Sequence, residues 1–469
     1  MMLVALLLGI GCPSPAAGVK ASSRSAVEAA QLPTRWYFAE GTTREGFFEY
    51  LSLQNPGTEA AEVHITYMTN DGPIGPFVHV VPPVSRGTVF VNGFLDPGLD
   101  VSAAVESDKG LVAERPIYFV YKGEWEGGHV TKGVNEPSKT WYFAEGTTRP
   151  GFEEWLCVQN PLDVAQEVTV GFYTPEVVET KSYQVAARHR FTLDINREVA
   201  ELWPEAPHQD VSLKVEAGQG IIAERPMYFD YKGSWQGGHI VMGETAPGKE
   251  WYLAEGYCEW NFETWLCFLN PNLEDAHITV DYRRGDGAAL PPQGFRVTGY
   301  SRFTLYVNDA VGKGEFSFHI TSDREIVVER PMYFNYRYSW AGGHDNTAVS
   351  RAAPEWYLAE GSTRRGIETY LCVLNPLDVE QRVIVEYLME QGGYMEVEFT
   401  VPPRSRYTRN VNADLGDGHD VSFRLKALKV ADPVEPGEIV VERPMYFLYG
   451  GTIPGGHVTS GYPLYGDGL

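Results

Sequence analysis

Short runs in which apolar and other residues alternate recur along the whole chain, separated by turn-forming residues. Alternation is clearest at 62–69, where Val63, Ile65 and Tyr67 share one face of a strand. This period of two predicts a strand with one face on a core. In the first repeat the pattern predicts seven strands, at 36–40, 49–54, 62–69, 77–81, 88–92, 101–106 and 111–119. Seven short strands in about a hundred residues are typical of an immunoglobulin-like sandwich of two antiparallel sheets.

The strand pattern recurs as four long repeats. The string Glu-Arg-Pro-Ile/Met-Tyr-Phe, followed each time by Gly-Gly-His, begins at Glu114, Glu224, Glu329 and Glu442. A second string, Trp-Tyr-Phe/Leu-Ala-Glu-Gly, recurs at spacings of 105, 110 and 105 residues and begins at Trp36, Trp141, Trp251 and Trp356. Such spacings suit whole sandwich domains rather than short solenoid repeats.

We therefore predict an all-β protein of four tandem immunoglobulin-like antiparallel β-sandwich domains. Their predicted bounds, used below as repeats 1 to 4, are 36–135, 141–245, 251–349 and 356–462. The linkers between them are short, so we expect a semi-rigid string of touching domains that share no single core.

The amino terminus resembles an export signal. Residues 1–21 begin with an apolar run too short to span a bilayer, and residues 22–35 have the composition of a short tether. Gly9-Ile10-Gly11-Cys12 resembles a bacterial lipobox, which makes Cys12 a lipidation candidate. The alternative is ordinary cleavage near Ala17 or Ala21. No second apolar run of spanning length follows, so we predict an extracellular or cell-surface protein without a transmembrane helix.

Charge and composition narrow the classes of partner. The chain carries 38 Lys and Arg against 62 Asp and Glu, a formal net charge of −24. This charge repels phosphate backbones and argues against nucleic acid as a partner. Aromatic residues at 13% and apolar residues at 43% indicate folded domains with acidic surfaces rather than a disordered chain.

Cysteines are few for an exported protein. Cys157, Cys267 and Cys372 occupy one equivalent position in repeats 2 to 4, where they are interpreted as small, semi-buried core residues. Cys258 shares a domain with Cys267, and whether these two pair stays open because sequence spacing does not give the Cα separation.

Five charged or titratable positions recur in every repeat. They are Glu40, Arg86, Glu114, Arg115 and His129 in repeat 1; Glu145, Arg190, Glu224, Arg225 and His239 in repeat 2; Glu255, Arg302, Glu329, Arg330 and His344 in repeat 3; and Glu360, Arg406, Glu442, Arg443 and His457 in repeat 4. Each repeat thus carries two Glu and two Arg at these positions, and buried charges are normally paired. We therefore interpret these residues as a structural network that ties the two sheets together.

Catalysis and metal binding are the alternatives for these residues. A glycoside hydrolase would use Glu40 and Glu114 as acid and base. However, neighbouring residues of a strand point to opposite faces, so Glu114 and Arg115 do not serve one cleft together. The histidines lack the H-x-H or H-E-x-x-H spacing of a metal site, so we predict no metal and no cofactor.

Recurrent aromatic residues are the candidate ligand-binding residues. Trp155 and Trp265 share one strand position, and Trp125, Trp235 and Trp340 precede the Gly-Gly-His segments. Aromatic rings near loops stack on sugars, while packing against a neighbouring strand or domain is their commoner role. Both interpretations stay open on the sequence alone.

The strings W-Y-F-A-E-G-T-T-R, S-R-x-T, D-V-S, E-R-P-M-Y-F and W-x-G-G-H together resemble a tandem-repeat family common in secreted and surface proteins of actinobacteria. The resemblance covers nearly all of 36–460 and implies an extracellular β-sandwich array from a bacterium, with no catalytic residues. Repeat 3 departs from it at Tyr257-Cys258-Glu259, and repeat 4 has Ile453 in place of the Trp before Gly-Gly-His. Ligand binding through these positions is expected to be weaker in those repeats.

These observations predict a non-enzymatic stalk, adhesin or cell-envelope component whose partners are cell-envelope glycans or surface proteins. The first alternative is a carbohydrate-binding array that uses the recurrent tryptophans. Glycoside hydrolysis is a distant second.

Overall fold

The computed structural model describes residues 32–285, 287, 288 and 290–465. Residues 1–31, with the predicted export signal, Cys12 and most of the predicted tether, lie outside the described residues. Nearly all of the described chain is built of strands and the turns between them, which confirms the predicted all-β class.

Repeats 1 and 2 contribute strands β1 to β15. In repeat 1 these are β1 Arg35–Phe38, β2 Phe47–Asn55, β3 Ala61–Thr69, β4 Gly72–Val81, β5 Ser85–Phe90, β6 Ser102–Ser107, β7 Val112–Tyr121 and β8 Trp125–Lys132, with a 3-10 turn at Val91–Gly93. In repeat 2 they are β9 Ser138–Phe143, β10 Phe152–Asn160, β11 Gln166–Tyr173, β12 Val178–Val185, β13 His189–Asp194, helix α1 Ile195–Leu202, β14 Ser212–Tyr231 and β15 Trp235–Met242.

Repeats 3 and 4 follow the same plan with extra short strands. Repeat 3 holds β16 Gly248–Leu253, β17 Tyr257–Cys258, β18 Phe262–Asn270, β19 Ala276–Arg284, β20 Gln293–Val297, β21 Ser301–Tyr306, α2 Val307–Val311, β22 Gly314–Glu329, β23 Met332–Tyr336 and β24 Trp340–His344. Repeat 4 holds β25 Glu355–Leu358, β26 Ile367–Asn375, β27 Gln381–Met389, β28 Tyr394–Val401, β29 Ser405–Asn410, α3 Val411–Leu415, β30 Val421–Lys429, β31 Asp432–Pro436, β32 Val440–Tyr449, β33 Ile453–Ser460 and β34 Tyr462–Leu464.

Each repeat pairs its strands into two antiparallel layers. In repeat 1 the sheet orders are β1-β6-β3-β4 and β5-β2-β7-β8, and in repeat 4 the second sheet is β29-β26-β32-β33. In repeats 2 and 3 one long strand, β14 or β22, belongs to both layers. The strand order of repeat 1 differs from that of an immunoglobulin constant domain, which places its first, second, fifth and fourth strands in one sheet. In repeat 1 the first strand pairs with the sixth, and the second strand lies between the fifth and the seventh.

An eighth strand extends the seven that the sequence predicts in repeat 1. It is β8, which carries Gly-Gly-His and pairs antiparallel with β7, so that Ile117 lies opposite His129. The sequence pattern did not predict a strand at this segment. Its equivalents in the later repeats are β15, β24 and β33.

Recurrent neutral residues hold each sandwich together. The Trp36 ring is fully buried, and its Nε1 donates to Leu111 O at 3.0 Å, a contact repeated by Trp141, Trp251 and Trp356. The side-chain amide of Asn55 donates to the carbonyls of Glu59, Val81 and Pro82, closing two loops at once. Such complete hydrogen bonding is what a buried polar residue requires.

The four repeats close into a ring. Strand β8 contacts β15, β15 contacts β24, β24 contacts β33, and β33 contacts β8, so the order returns to its start around a central axis. Hydrophobic cores also cross the repeat boundaries. Ala39 joins the core of repeat 2, Ala254 joins that of repeat 4, and Ala359 joins that of repeat 1. The ring therefore replaces the linear string expected from the short linkers.

Glycines allow the four central strands to meet. A Cβ on Gly127 would lie 3.2 Å from Gly237 Cα, and the same close approach links Gly237, Gly342 and Gly455 and returns to Gly127. A Cβ on the next glycine, Gly128, would lie 2.9 Å from the Phe447 ring of repeat 4. Both glycines of the motif are thus required by close packing at the axis.

Within the described residues we find no helix with the length and apolarity needed to span a membrane.

Candidate binding clefts at the repeat boundaries

Two buried ion pairs cross each boundary between repeats. In the first set, the Arg of one Glu-Arg-Pro motif meets the Glu of the same motif in the next repeat. These pairs are Arg115–Glu224 at 2.8 Å, Arg225–Glu329 at 2.9 Å, Arg330–Glu442 at 2.9 Å and Arg443–Glu114 at 2.6 Å, and all eight side chains are fully buried.

The second set runs in the opposite sense, from the Glu of Ala-Glu-Gly to the Arg at the second position of β5, β13, β21 or β29 in the next repeat. These pairs are Glu40–Arg190 at 2.9 Å, Glu145–Arg302 at 3.5 Å, Glu255–Arg406 at 2.8 Å and Glu360–Arg86 at 2.9 Å. The recurrent charges therefore join neighbouring repeats, whereas the sequence pattern had assigned them to contacts between the two sheets of one repeat.

This geometry separates the two residues proposed for glycoside hydrolysis. Glu40 faces Arg190 of repeat 2, and Glu114 faces Arg443 of repeat 4, so the two carboxylates lie at different boundaries. Adjacent residues Glu114 and Arg115 reach neighbours on opposite sides, as the alternation of a strand requires. Glu40 and Glu114 are not placed to act as acid and base on one substrate.

The recurrent cysteines belong to the same charge cluster. Cys157 Sγ lies 2.7 Å from Glu40 Oε2 and 3.2 Å from Arg190 Nη2, and Cys267 and Cys372 repeat this arrangement. Burial raises the pKa of the Cys157 thiol well above its ordinary value, and the Glu40 carboxylate adds to that rise. The thiol is thus held neutral, and it donates a hydrogen bond to the carboxylate. Cys258 and Cys267 are both free thiols.

A stacked pair of tyrosines lies at each boundary between repeats. Tyr121 stacks on Tyr228 with ring centroids 3.8 Å apart and an interplanar angle of 2°. The equivalent pairs are Tyr231–Tyr333, Tyr336–Tyr446 and Tyr118–Tyr449, at 4.0, 4.0 and 3.9 Å. Each pair joins two repeats, and the pairs Tyr121–Tyr228, Tyr336–Tyr446 and Tyr118–Tyr449 each form one wall of an open cleft.

Two clefts flank repeat 1. The cleft between repeats 1 and 2 has a volume of about 240 Å³ and is lined by Trp155, Tyr121, Tyr228 and the Glu40–Arg190 pair. The cleft between repeats 4 and 1 is larger, about 640 Å³, and Tyr50, Tyr118 and Tyr449 line it beside Arg364 and Asp420.

The cleft between repeats 3 and 4 has the most exposed aromatic rim. Its volume is about 420 Å³, and its walls include Tyr257, Tyr336 and Tyr370. Trp260 and Tyr338 stand at its edge, 77% and 71% exposed. Among its polar groups are the side chains of Glu259, Asn261, Glu315 and Arg337. A concave aromatic surface with a few polar groups is the usual form of a small-molecule site.

The predicted tryptophans have different roles. Trp155 lines a cleft, while Trp265 packs on Tyr306 with ring centroids 4.4 Å apart. The other three tryptophans are half-buried and pack beside a tyrosine of the same repeat, with ring centroids 5.8–6.0 Å apart. These pairs are Trp125–Tyr121, Trp235–Tyr231 and Trp340–Tyr336.

Sequence reasoning missed Trp260. It lies beside Tyr257-Cys258-Glu259, the segment at which repeat 3 departs from the other repeats and for which the sequence predicts weaker ligand binding. The structure places Tyr257 and Trp260 in the cleft. Repeat 3 gains two aromatic residues at the segment where it differs from the other repeats, and this gain is the sequence signal that could have identified Trp260.

Among the described residues, no group of three or more His, Cys, Asp or Glu is placed to share a metal ion.

No protein-family profile and no curated protein matches the chain. Among solved structures, the Anabaena sensory rhodopsin transducer aligns with 18% of this chain and 95% of its own, at 25% identity and a TM-score of 0.17. Thermotoga maritima 1070 aligns with 22% of this chain and 96% of its own, at 24% identity and a TM-score of 0.20. A tetra-tandem repeat from the extending region of a large adhesion protein covers 87% of this chain and 91% of its own, at 9% identity and a TM-score of 0.10. Scores this low carry no argument, so a function for this chain rests on its fold and its clefts alone.

Proposed function

We propose that this chain is a non-enzymatic, exported binding protein of the adhesin type, whose ring of four repeats presents aromatic clefts to glycans of a cell envelope. The observation that carries the proposal is the cleft between repeats 3 and 4, with Trp260 and Tyr338 exposed at its edge. Large exposed aromatic residues in a concave polar setting are uncommon on a surface that binds nothing.

The chemistry of this cleft suits a sugar ring. The faces of Trp and Tyr accept the apolar face of a pyranose, while carboxylate, amide and guanidinium groups hydrogen-bond to its hydroxyls. Glu259, Asn261 and Arg337 supply these groups around the aromatic walls. Lys313 lies over the Trp260 ring at 3.4 Å from its centroid, which restrains the indole at the edge of the cleft.

A ring favours a binding platform over a stalk. Contacts between repeats 4 and 1 bring the two ends of the array together, so four repeats add breadth rather than length. Several clefts on one rigid ring can engage a repeating polymer at once, and weak sites then add by avidity.

Co-sedimentation of the full chain with purified bacterial cell wall, cellulose and chitin tests this proposal. We expect saturable binding to at least one of these polymers. Trp260→Ala should weaken it at least tenfold, equivalent to about 1.4 kcal/mol, with an unchanged midpoint of thermal unfolding. The matched control is Phe94→Ala, which removes an aromatic residue of repeat 1 that is 48% exposed and lies outside the three clefts.

Equal binding by the wild type and Trp260→Ala would contradict a glycan site in this cleft. Failure of the wild type to bind any of these polymers would contradict the glycan class. Release of soluble reducing sugar during the incubation would contradict the non-enzymatic proposal.

A further inference from the structure

Four histidines, one from each repeat, surround the central axis. His129, His239, His344 and His457 each follow the first glycine of Gly-Gly-His by two positions. Because strand side chains alternate, each histidine faces the same side as that glycine, which meets its counterparts around the axis. The imidazole centroids of His129 and His457 are 5.9 Å apart, and those of His129 and His239 are 6.5 Å apart.

Most of the ring nitrogens have no hydrogen-bond partner among the described residues. Both nitrogens of His239, His344 and His457 are buried without one, and so is Nδ1 of His129. Leaving a buried polar atom unpaired costs about 1–3 kcal/mol. Buried groups of this kind in native proteins call for ordered water or an ion. Four imidazoles gathered around the axis therefore offer buried, unpaired nitrogen atoms to a small ligand.

A cavity leads to this histidine layer. It has a volume of about 250 Å³ and reaches His129 past Thr131, Lys132, Asn346 and Thr459. Thr131 and Thr459 follow the histidines of their strands by two positions and so face the same axis. On the other side, the axis is closed by the four glycines that meet there, Gly127, Gly237, Gly342 and Gly455. A small ligand can thus reach the histidines through the cavity.

Charge decides which guest this layer accepts. Burial, together with the nearby guanidinium groups of Arg115 and Arg443, lowers the pKa of His129 to about 3. Burial and Arg225 likewise lower the pKa of His239, and burial and Arg330 lower that of His344. The histidines are therefore neutral at pH 7, and each retains one N–H donor in a positive local field.

Acidic groups near the cavity are already engaged. Asp345 pairs with Arg225 at 2.6 Å, and Glu244 accepts hydrogen bonds from the backbone N–H groups of Thr245 and Ala246. A transition metal fits poorly, because four imidazoles around one ion with N–metal distances of about 2.0–2.1 Å would bring their rings closer together than those observed here.

We propose that the histidine layer binds one small monovalent anion of the halide class on the axis, held by imidazole N–H groups contributed by the different repeats. The anion thereby joins the repeats at the centre of the ring. This site is separate from the boundary clefts and does not depend on glycan binding.

Thermal unfolding of the full chain in sodium chloride and in sodium gluconate at equal ionic strength tests the proposal, since gluconate is too large for the site. We expect chloride to raise the Tm by about 2 °C or more over gluconate, with a saturating concentration dependence. The difference should vanish in His344→Phe, which removes both ring nitrogens. It should persist in His277→Phe, the matched control at a surface histidine.

A second measurement needs no variant. The chloride-35 NMR line should broaden in the presence of the wild-type chain, and bromide should compete this broadening away. Equal Tm values in chloride and gluconate, together with no broadening, would overturn the proposal and leave water as the guest. Stabilisation by zinc that a chelator reverses would overturn it in favour of a cation.

Discussion

At the scale of single residues, two buried carboxylates stand out from the paired network. Glu49 and Glu154 are fully buried at one equivalent position, where repeats 3 and 4 carry Thr264 and Thr369. Burial raises the pKa of each glutamate to about 8. Both carboxyl groups therefore resist ionisation in the folded protein.

Glu154→Gln should alter the pH dependence of stability. The folded pKa lies above the unfolded value of 4.5, so the stabilisation is complete below that value and is lost as the pH rises towards 8. The wild type should lose about 1.4 kcal/mol per pH unit in that window, while the variant lacks this loss. Urea unfolding at pH 5 and pH 8 measures this change in the free energy of unfolding. Glu167→Gln, at an exposed glutamate of the same repeat, is the control. A constant difference between Glu154→Gln and the wild type at both pH values would contradict this assignment.

Gly238→Ala tests the close packing at the axis. The added Cβ would lie 2.8 Å from the Phe119 ring and 2.9 Å from Met227 O, so we expect a loss of about 1–3 kcal/mol in the free energy of unfolding. Gly294→Ala is the control, because its nearest contact would be 3.9 Å away. Chemical denaturation of both variants gives the comparison, and equal stabilities would argue against the close packing of Gly238 on Phe119 of repeat 1.

At the scale of elements, the sequence predicts strands whose pattern lies within one repeat, and it misses features that depend on contacts with another repeat. Alternation located the seven strands of repeat 1 because each carries its own apolar face, such as Val63 and Ile65. Strand β8 was missed because Gly127 and Gly128 have low strand propensity, and only packing against other repeats makes glycine suitable there. The recurrence of Glu114 and Arg115 was visible in the sequence, but their partners 329 and 109 positions away were not.

Arg443→Met tests the boundary strands β7 and β32. The substitution would leave Glu114 buried without its ion-pair partner, so we expect a loss of about 3–5 kcal/mol in the free energy of unfolding. Arg404→Met breaks the exposed pair with Asp378 and should cost about 0–1 kcal/mol. Equal losses in the two variants, measured by urea denaturation, would refute the role of the buried pair in closing the ring.

At the scale of the whole molecule, four equally spaced repeats suit a string as well as a ring. Closure depends on contacts between the two ends of the array, such as Arg86 with Glu360, and no local pattern reveals those. The clefts share this dependence, since each is built from two repeats. That is why Trp260 was overlooked, while Trp155 could be chosen by its recurrence alone.

Small-angle X-ray scattering of the chain in dilute solution tests the closed ring most directly. For a compact chain of this length we predict a radius of gyration close to about 23 Å. Four sandwiches in a linear string would give roughly 40 Å, because their centres would be spread over the whole array. A value near the compact limit supports the ring and its boundary clefts, and a value near that of the string would contradict them.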